Sequence, residues 1–320
     1  LKAIAVKEGM RASEIAEYRY TKYNESIPVV LPAPPATKVE VNPDGTVSIK
    51  PVQQVVNGAV KGVITEEDIE KALSLAKEKV LYIELSEEPN VNKYMQVIPA
   101  AYVSEDEVSI TLRIATPVAD IKVPSNMFKP DDVEGKKTIK IAVEKVDNAT
   151  LNEEVRKLVG DRPVVRINVS IDGQVTEWDN PHAPVTIEID YQPTEEELKN
   201  PENIVVYYIN SNNHVIAVPS GRYNPETGKV TFSTTHFSTY AIGYAEVTFG
   251  DLAQAEWARK EINAMAVRGI VEGISEEVFA PGTAVTRAEA LALLIRTLDV
   301  TAEATDNFDD AAGNKYEKEI

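Results

Sequence analysis

The chain has 320 residues, more than one domain usually holds, so we expect two to four compact units. Its 33 Lys and Arg against 51 Asp and Glu give a formal net charge of -18, which opposes nucleic acid and anionic lipid as partners. Cysteine is absent, which removes disulfides, thiolate metal sites and cysteine nucleophiles. No apolar stretch approaches the roughly 20 residues of a membrane helix, so membrane insertion is not expected.

The first 22 residues predict a β-hairpin, because short alternating apolar runs flank a turn at Gly9 in LKAIAVKEGMRASEIAEYRYTK. This segment resembles the last two strands of the chitobiase C-terminal type β-sandwich. The resemblance implies that residues 1–23 are the end of such a domain, and an arbitrary hairpin is the alternative. Since the chain begins inside a strand pattern and stops at Ile320 inside a helical pattern, we expect an internal piece of a longer protein.

A linker is predicted at residues 24–37, where four prolines remove backbone donors and favour an extended chain. The next predicted domain, 38–148, is β-rich and contains one helix at 65–79. Thr65 and the acids that follow it predict the start of this helix. Its apolar residues recur at helical spacing: Ile69, Ala72, Leu73, Ala76 and Val80.

Short strand patterns separated by Pro, Gly, Asn and Asp continue to residue 246 and predict β-sandwich architecture. A strand and a short helix between Val133 and Gly160 indicate a boundary, so we expect a second β-sandwich-like domain at 149–246. The predicted fold class is therefore multidomain and mainly β, with one inserted helix, followed by a helix-loop-helix repeat.

That repeat is predicted at residues 247–301, where the pattern changes to two helices around a tight loop. The first helix is expected to bury one apolar face: Trp257, Ile262, Met265, Ala266 and Ile270. The second is expected to bury another: Leu291, Leu294, Ile295 and Leu298. Two glycines, Gly269 and Gly273, bracket the loop, which continues into a turn at Phe279-Ala280-Pro281-Gly282.

These residues stand in the order of an S-layer homology repeat, which the segment resembles over about fifty residues. The matching positions are Phe249, Asp251, Trp257, Ile262, Gly269-Ile270, Gly273, Phe279, Pro281 and Thr286-Arg287-Ala288-Glu289. A second copy starts at Phe308-x-Asp310, so 302–320 are expected to be a truncated second repeat. The resemblance implies binding of a secondary cell-wall polymer, commonly a pyruvylated glycan, in grooves between repeats. The TTHFSTYAI ending before it resembles a β-rich domain that often precedes such repeats.

Three neighbouring residues are candidates for the glycan site, and their types and positions at the start of the second helix suggest different roles. Thr286 and Glu289 have the spacing of a capping box, which is the favoured interpretation for both. A cation at Arg287 opposes the helix macrodipole and needs another justification. A guanidinium beside free amides suits a carboxylate, so Arg287 is the expected anion contact.

The other candidates from the resemblance are Trp257, Asp251 and Gly273. For Trp257, packing between the two helices is favoured over sugar stacking. For Asp251, capping of the first helix is favoured over ligand contact. The three histidines have no metal or triad spacing, so neither metal nor cofactor is expected: His182, His214 and His236.

The resulting hypothesis is a surface protein, held without a covalent bond on the outside of a bacterial cell, whose β-domains act as spacer or surface-layer assembly modules. Its expected partner is the secondary wall polymer; copies of itself are left open. No catalysis is expected from the chain. The alternatives are a non-catalytic part of a wall-anchored glycan-degrading enzyme and an adhesin, for which an exposed apolar patch would be a sign.

Overall fold

The computed structural model describes residues 36–105 and 109–300, with short pieces at 2–3, 8–9, 16–17 and 315–316. The chain divides into two units, residues 1–36 and 37–320. In the first unit, β1 (Lys2–Ala3) pairs antiparallel with β2 (Ala16–Glu17), and Gly9 has a φ of 81°. This confirms the predicted hairpin. The rest of the 1–23 segment, and the linker up to residue 35, lie outside the described residues.

The second unit is built around two β-sheets. Its strands are β3 (Lys38–Val41), β4 (Val47–Lys50), β5 (Val52–Val56), β6 (Ala59–Val63), β7 (Val80–Glu84), β8 (Lys93–Pro99), β9 (Thr111–Ala115), β10 (Asp120–Pro124), β11 (Thr138–Lys145), β12 (Val164–Ile171), β13 (Gln174–Thr176), β14 (Val185–Asp190), β15 (Ile204–Ile209), β16 (Val215–Ala217), β17 (Arg222–Asn224), β18 (Lys229–Thr234) and β19 (Thr239–Tyr244). Its helices are α1 (Glu66–Leu75), α2 (Glu153–Val159), α3 (Arg259–Ala266) and α4 (Arg287–Leu298).

The sheets pack face to face as one sandwich over residues 37–244. One sheet has the strand order β17-β18-β14-β10-β9-β7-β4-β3, and the other β16-β15-β19-β12-β11-β8-β6-β5, with β13 attached to β12. Buried and less buried residues alternate along β8, β14 and β18, as expected for strands with one face on a core. Residues of both sheets form that core, among them Ile49, Leu81 and Leu112 with Ile98, Ile141 and Val206. The mainly β prediction is confirmed.

The sheets do not divide at the boundary expected near residue 148. Strand β10 pairs with β14, and β11 pairs with β12 over seven residue pairs, so both sheets run through that position. The short helix α2 packs at one side, in a small cluster with Val146 and Val164. The sequence pattern correctly predicted the short helix between β11 and β12. The expected domain boundary is not found, because pairing between distant strands makes 37–244 one sandwich rather than two domains.

Helix α1 begins where the sequence predicts but ends earlier. Thr65 accepts a hydrogen bond from the backbone amide of Asp68, whose carboxylate accepts one from the Thr65 amide, which confirms the capping box. The helix ends at Leu75 rather than 79, because Ala76 is already extended and the chain enters β7 at Val80. Of the residues of α1, only Ile69 and Ala72 are buried.

The repeat packs against the sandwich through both apolar and polar contacts. Val267, directly after α3, lies in a cluster with Val205 and Tyr207 of β15. Next to it, the side chain of Arg268 is 2% exposed and its guanidinium donates to the carbonyl oxygens of Glu202 and Ile204 in the sandwich. The sandwich and the repeat are therefore joined directly rather than through an extended linker.

Candidate functional site

Helix α4 starts at a capping box formed by Thr286 and Glu289. Thr286 Oγ1 accepts from the Glu289 amide at 3.2 Å, and Glu289 Oε2 accepts from the Thr286 amide at 2.8 Å. These hydrogen bonds lower the pKa of Glu289 and keep it ionised, the Thr286 backbone bond contributing most. The capping prediction is confirmed for both residues.

Arg287 is the first residue of α4 and is exposed to solvent. Within residues 36–105 and 109–300 its side chain has no hydrogen bond and no ion pair, unlike Arg113, Arg162, Arg259 and Arg296. Its charge also lies at the positive end of the helix dipole, where a cation is not stabilised by the fold. Arg287 is therefore available to an anion that approaches the start of α4.

Asp251 does not cap the first helix, so that prediction is wrong. Its Oδ1 accepts from the amide of Phe279 at 3.0 Å, and its Oδ2 from the amide of Ala280 at 2.7 Å. These hydrogen bonds hold the pKa of Asp251 below its ordinary value. Ala280 has a φ of 63°, in the left-handed region, and the two bonds fix the turn there. Asp251 thus joins the start of the repeat to the loop that precedes α4.

Gly273 is required by close packing of the loop. A Cβ at this position would approach the carbonyl oxygen of Ser275, lie 2.5 Å from that of Val278 and lie 2.7 Å from the ring of Phe249. No side chain fits between these groups. Gly273 borders the groove described below, so its contribution is to let the loop close along that groove.

Trp257 is not in the core, so the packing prediction is wrong. Its side chain is 86% exposed, whereas Ile262 of the same predicted face is buried. The reason is local: Trp257 lies in a 3₁₀ segment, Leu252–Ala258, and α3 begins only at Arg259, after a non-helical Ala258 with φ -110° and ψ 3°. Helical spacing does not hold across this break, and Trp257 leaves the stripe formed by Ile262 and Ile270.

The apolar stripe predicted for α4 is also largely exposed, because few of the described residues pack against it. Leu291, Leu294 and Leu298 are 40%, 54% and 62% exposed, and Ile295 is half-buried. The fully buried residue of α4 is Ala292. The helix therefore contacts the rest of the repeat through a narrower face, centred on Ala292, than its pattern predicts.

A groove of about 520 Å³ lies between α4, the loop of residues 271–285 and the pair Lys315 and Tyr316. Glu272 accepts from Arg296 at 3.0 Å and from Lys315 at 3.1 Å. Both cations also lie over the Tyr316 ring, at 5.8 and 5.4 Å from its centroid. The hydrogen bond to Lys315, followed by the charge of Arg296, lowers the pKa of Glu272.

This groove brings together two of the predicted site residues, Glu289 and Gly273, with residues that the sequence did not single out. Arg287 lies next to the groove in sequence but is not among the residues that line it. Lys315 and Tyr316 belong to the segment in which the second copy of the repeat was predicted, and the rest of 302–320 lies outside the described residues. In the sequence, the cations Arg296 and Lys315 and the aromatic Tyr316 were the signal that could have pointed to this groove.

Several partly buried carboxylates of the sandwich are held in ion pairs. Glu197 is 3% exposed and accepts from Arg162 Nε at 2.7 Å and from the Tyr191 hydroxyl. Glu197 begins a 3₁₀ turn that ends at Lys199. Among the described residues there is no group of His, Asp and Glu that could hold a metal ion.

Comparison with known proteins identifies the repeat. A model of the S-layer homology domain matches residues 248–291. Residues 248–291 are an S-layer homology domain. Such domains bind cell-wall polymers, so the chain carries a module for attachment to the cell surface. None of the helices in the described ranges is long and apolar enough to cross a membrane.

Three curated relatives have sections similar to this chain. An amylopullulanase of Thermoanaerobacterium thermosulfurigenes is 34% identical over 123 residues, 38% of this chain and 7% of the relative. Exoglucanase XynX of Acetivibrio thermocellus is 40% identical over 58 residues, and endo-1,4-beta-xylanase A of Thermoanaerobacterium saccharolyticum is 40% identical over 57. Each of these two matches covers 18% of this chain and 5% of the relative. The first match is longer than the chain from Thr248 to its last residue, so the similarity extends beyond the repeat.

Proposed function

We propose that the S-layer homology domain holds this chain non-covalently on a secondary cell-wall polymer, and that the polymer is a pyruvylated glycan. The observation that carries the proposal is Arg287, an exposed guanidinium at the start of α4 without a partner among the described residues. A pyruvyl carboxylate placed there gains a charge-assisted hydrogen bond and the positive end of the helix dipole. The neighbouring groove bordered by Glu289 and Gly273 accommodates the sugar.

In this proposal the residues around Arg287 have supporting roles. Thr286 and Glu289 cap α4 and so fix the direction in which Arg287 leaves the helix. Asp251 and Gly273 hold the loop that forms the opposite wall of the groove. Lys315, paired with Glu272, lies on the side of the segment that follows the repeat. The site is thus shared between one repeat and the segment after it.

For the sandwich we propose a structural role as spacer or assembly module, without catalysis. Its partly buried carboxylates are engaged by cations: Arg113 binds Asp120 at 2.7 Å and Glu188 at 2.9 Å, and Arg162 binds Glu197. Such pairing orients the carboxylates toward their cationic partners in the protein. Turnover of chitin, peptidoglycan or wall glycan by the chain would contradict this role.

A second candidate function is that the chain is the non-catalytic part of a wall-anchored glycan-degrading enzyme. The three relatives favour this candidate, because the name of each is that of an enzyme acting on a polysaccharide. This chain spans 7% or less of each relative's length. The two candidates agree on the anchoring role of residues 248–291. They differ in whether the anchored protein also degrades a glycan.

Cosedimentation with purified wall sacculi tests the anchoring proposal. The chain should bind less tightly than a version to which two further S-layer homology domains are appended, because the groove is shared between repeats. In the longer version, Arg287→Ala should weaken binding by about 1.5–3 kcal/mol, roughly ten- to hundredfold, and Arg287→Lys should recover part of it. The control is Lys157→Ala, an exposed residue of α2.

Two results would contradict the proposal. Equal binding of the short and the extended protein would reject a groove shared between repeats. An Arg287→Ala protein that unfolds at a much lower urea concentration, yet binds sacculi normally when folded, would make the arginine structural. Melting curves recorded beside the binding assay separate these cases.

A further inference from the structure

A second groove lies at the junction of the sandwich and the repeat, away from α4. Its volume is about 380 Å³, within the roughly 300–1,000 Å³ range of small-molecule sites. The sandwich side includes Asn200, Asn203 and Glu246, and the repeat side includes Trp257 and Asn263. Because Arg268 and Val267 fix the repeat on the sandwich, the two walls are held at a constant separation.

Trp257 is the aromatic residue that lines this groove. The other tryptophan, Trp178, is 4% exposed and donates its indole N–H to the Met127 carbonyl at 2.8 Å, which is the ordinary state of this residue in a core. Trp257 instead leaves 86% of its surface in water, beside a polar groove. An exposed indole ring beside amides and carboxylates suits the apolar face of a pyranose ring whose hydroxyls point sideways.

The groove also offers unsatisfied hydrogen-bonding groups. The Asn263 Oδ1 atom is buried and has no hydrogen-bond partner within the described residues. No protein hydrogen bond is broken when this amide turns toward the groove, so it can pair with a ligand hydroxyl at little cost. The carboxylate of Glu246 accepts from the Tyr244 hydroxyl at 3.1 Å and keeps further lone pairs for a ligand.

The charge of the groove selects among saccharides. It is lined by four carboxylates and two cations: Glu202, Glu246, Glu256, Glu261, Arg259 and Lys260. Both cations are already paired, Lys260 with Glu202 at 3.6 Å and Arg259 with Glu256. The remaining charge is negative, which disfavours a carboxylated or phosphorylated sugar and admits an uncharged one.

We propose that this junction groove binds a neutral saccharide. The ring of Trp257 stacks on one face of a pyranose, and the amides and carboxylates of both walls hydrogen-bond its hydroxyls. The site differs from the proposed wall-polymer groove in position, in ligand charge and in its use of the sandwich. It does not depend on that groove or on Arg287.

The test uses the whole chain and three uncharged probes, chitotetraose, cellotetraose and maltotetraose, with tetragalacturonate as an acidic comparison. Since Trp178 is buried, fluorescence quenching by acrylamide reports Trp257, and a bound neutral saccharide should protect it. Ligand-observed NMR then measures affinity in the variants. We expect Trp257→Ala to bind about tenfold more weakly or worse, as for a central aromatic contact. Trp257→Phe should recover part of the loss, Asn263→Ala should weaken binding a few-fold, and Val175→Ala, at an exposed position on β13, should bind normally.

Three results would overturn the proposal: no saturable binding of any neutral probe, unchanged affinity in Trp257→Ala, or tighter binding of tetragalacturonate than of the neutral probes. Circular dichroism and urea unfolding of each variant show whether a loss of binding comes with a loss of fold. If the chain binds tetrasaccharide but the version extended by two further domains does not bind sacculi, only the wall-anchoring proposal is rejected. A chain that binds sacculi but no tetrasaccharide would reject only the junction site.

Discussion

Arg268 allows a quantitative prediction, because one side chain joins the sandwich to the repeat. Its guanidinium donates to four backbone carbonyl oxygens: Glu202 at 2.8 Å, Gly221 at 3.0 Å, Ile204 at 3.0 Å and Ala264 at 2.6 Å. Burial, followed by the nearby charge of Arg222, lowers the pKa of Arg268 to about 10. The side chain is therefore still charged at neutral pH, with its charge solvated by the carbonyl oxygens.

Replacing Arg268 with Met keeps most of the side-chain volume and removes every donor. A hydrogen bond from a charged donor contributes about 1.5–3 kcal/mol, but desolvation of the guanidinium offsets much of the sum over four bonds. What decides the effect is the buried carbonyls that lose this donor; of the four, Gly221 still accepts from Arg222 at 2.7 Å. We expect Arg268→Met to destabilise the docked repeat by about 3–5 kcal/mol, the range for removing one partner from a buried charged contact.

Hydrogen exchange of the α3 and α4 amides, with urea unfolding of the whole chain, measures this effect. Arg268→Lys should be intermediate, since an ammonium group has three donors and lacks the planar fork. The matched control is Arg259→Met in α3, whose arginine is paired with Glu256 at the surface and should contribute about 1 kcal/mol or less. If Arg268→Met and the control have the same stability and exchange, the carbonyl contacts do not hold the repeat on the sandwich.

Two further predictions concern single hydrogen-bonded groups. Thr286→Ala should lower the unfolding free energy of the repeat by about 0.5–2 kcal/mol, because it removes the acceptor for the Glu289 amide; an unchanged urea midpoint would contradict the capping role. Tyr191→Phe should flatten the loss of stability at alkaline pH. Burial, followed by the Glu197 carboxylate, raises the pKa of Tyr191 from 10.0 to about 12, so the folded hydroxyl keeps a proton that the unfolded one loses. That contribution is complete below pH 10 and disappears as the pH rises toward 12. Equal slopes of stability against pH in wild type and variant would refute it.

Local chemistry explains which elements the sequence predicted well. The capping boxes at Thr65 and Thr286 each involve residues three positions apart, so both partners are visible in one short stretch. The turn at Gly9 and the short helix α2 are local for the same reason. The S-layer homology domain could be identified from motif order alone, because its loop geometry requires particular residues, such as the glycine at 273.

Tertiary structure decided every feature whose partner lies far along the chain. Arg268 binds carbonyls up to 66 residues away, and Glu197 binds Arg162 across 35 residues. Continuous strand pairing joined two predicted domains into one sandwich. A periodic pattern reports which residues would gain from burial, but what covers them depends on how the elements pack. Trp257 shows this most clearly: the non-helical Ala258 separates its 3₁₀ segment from α3, and the predicted core side chain lies in solvent.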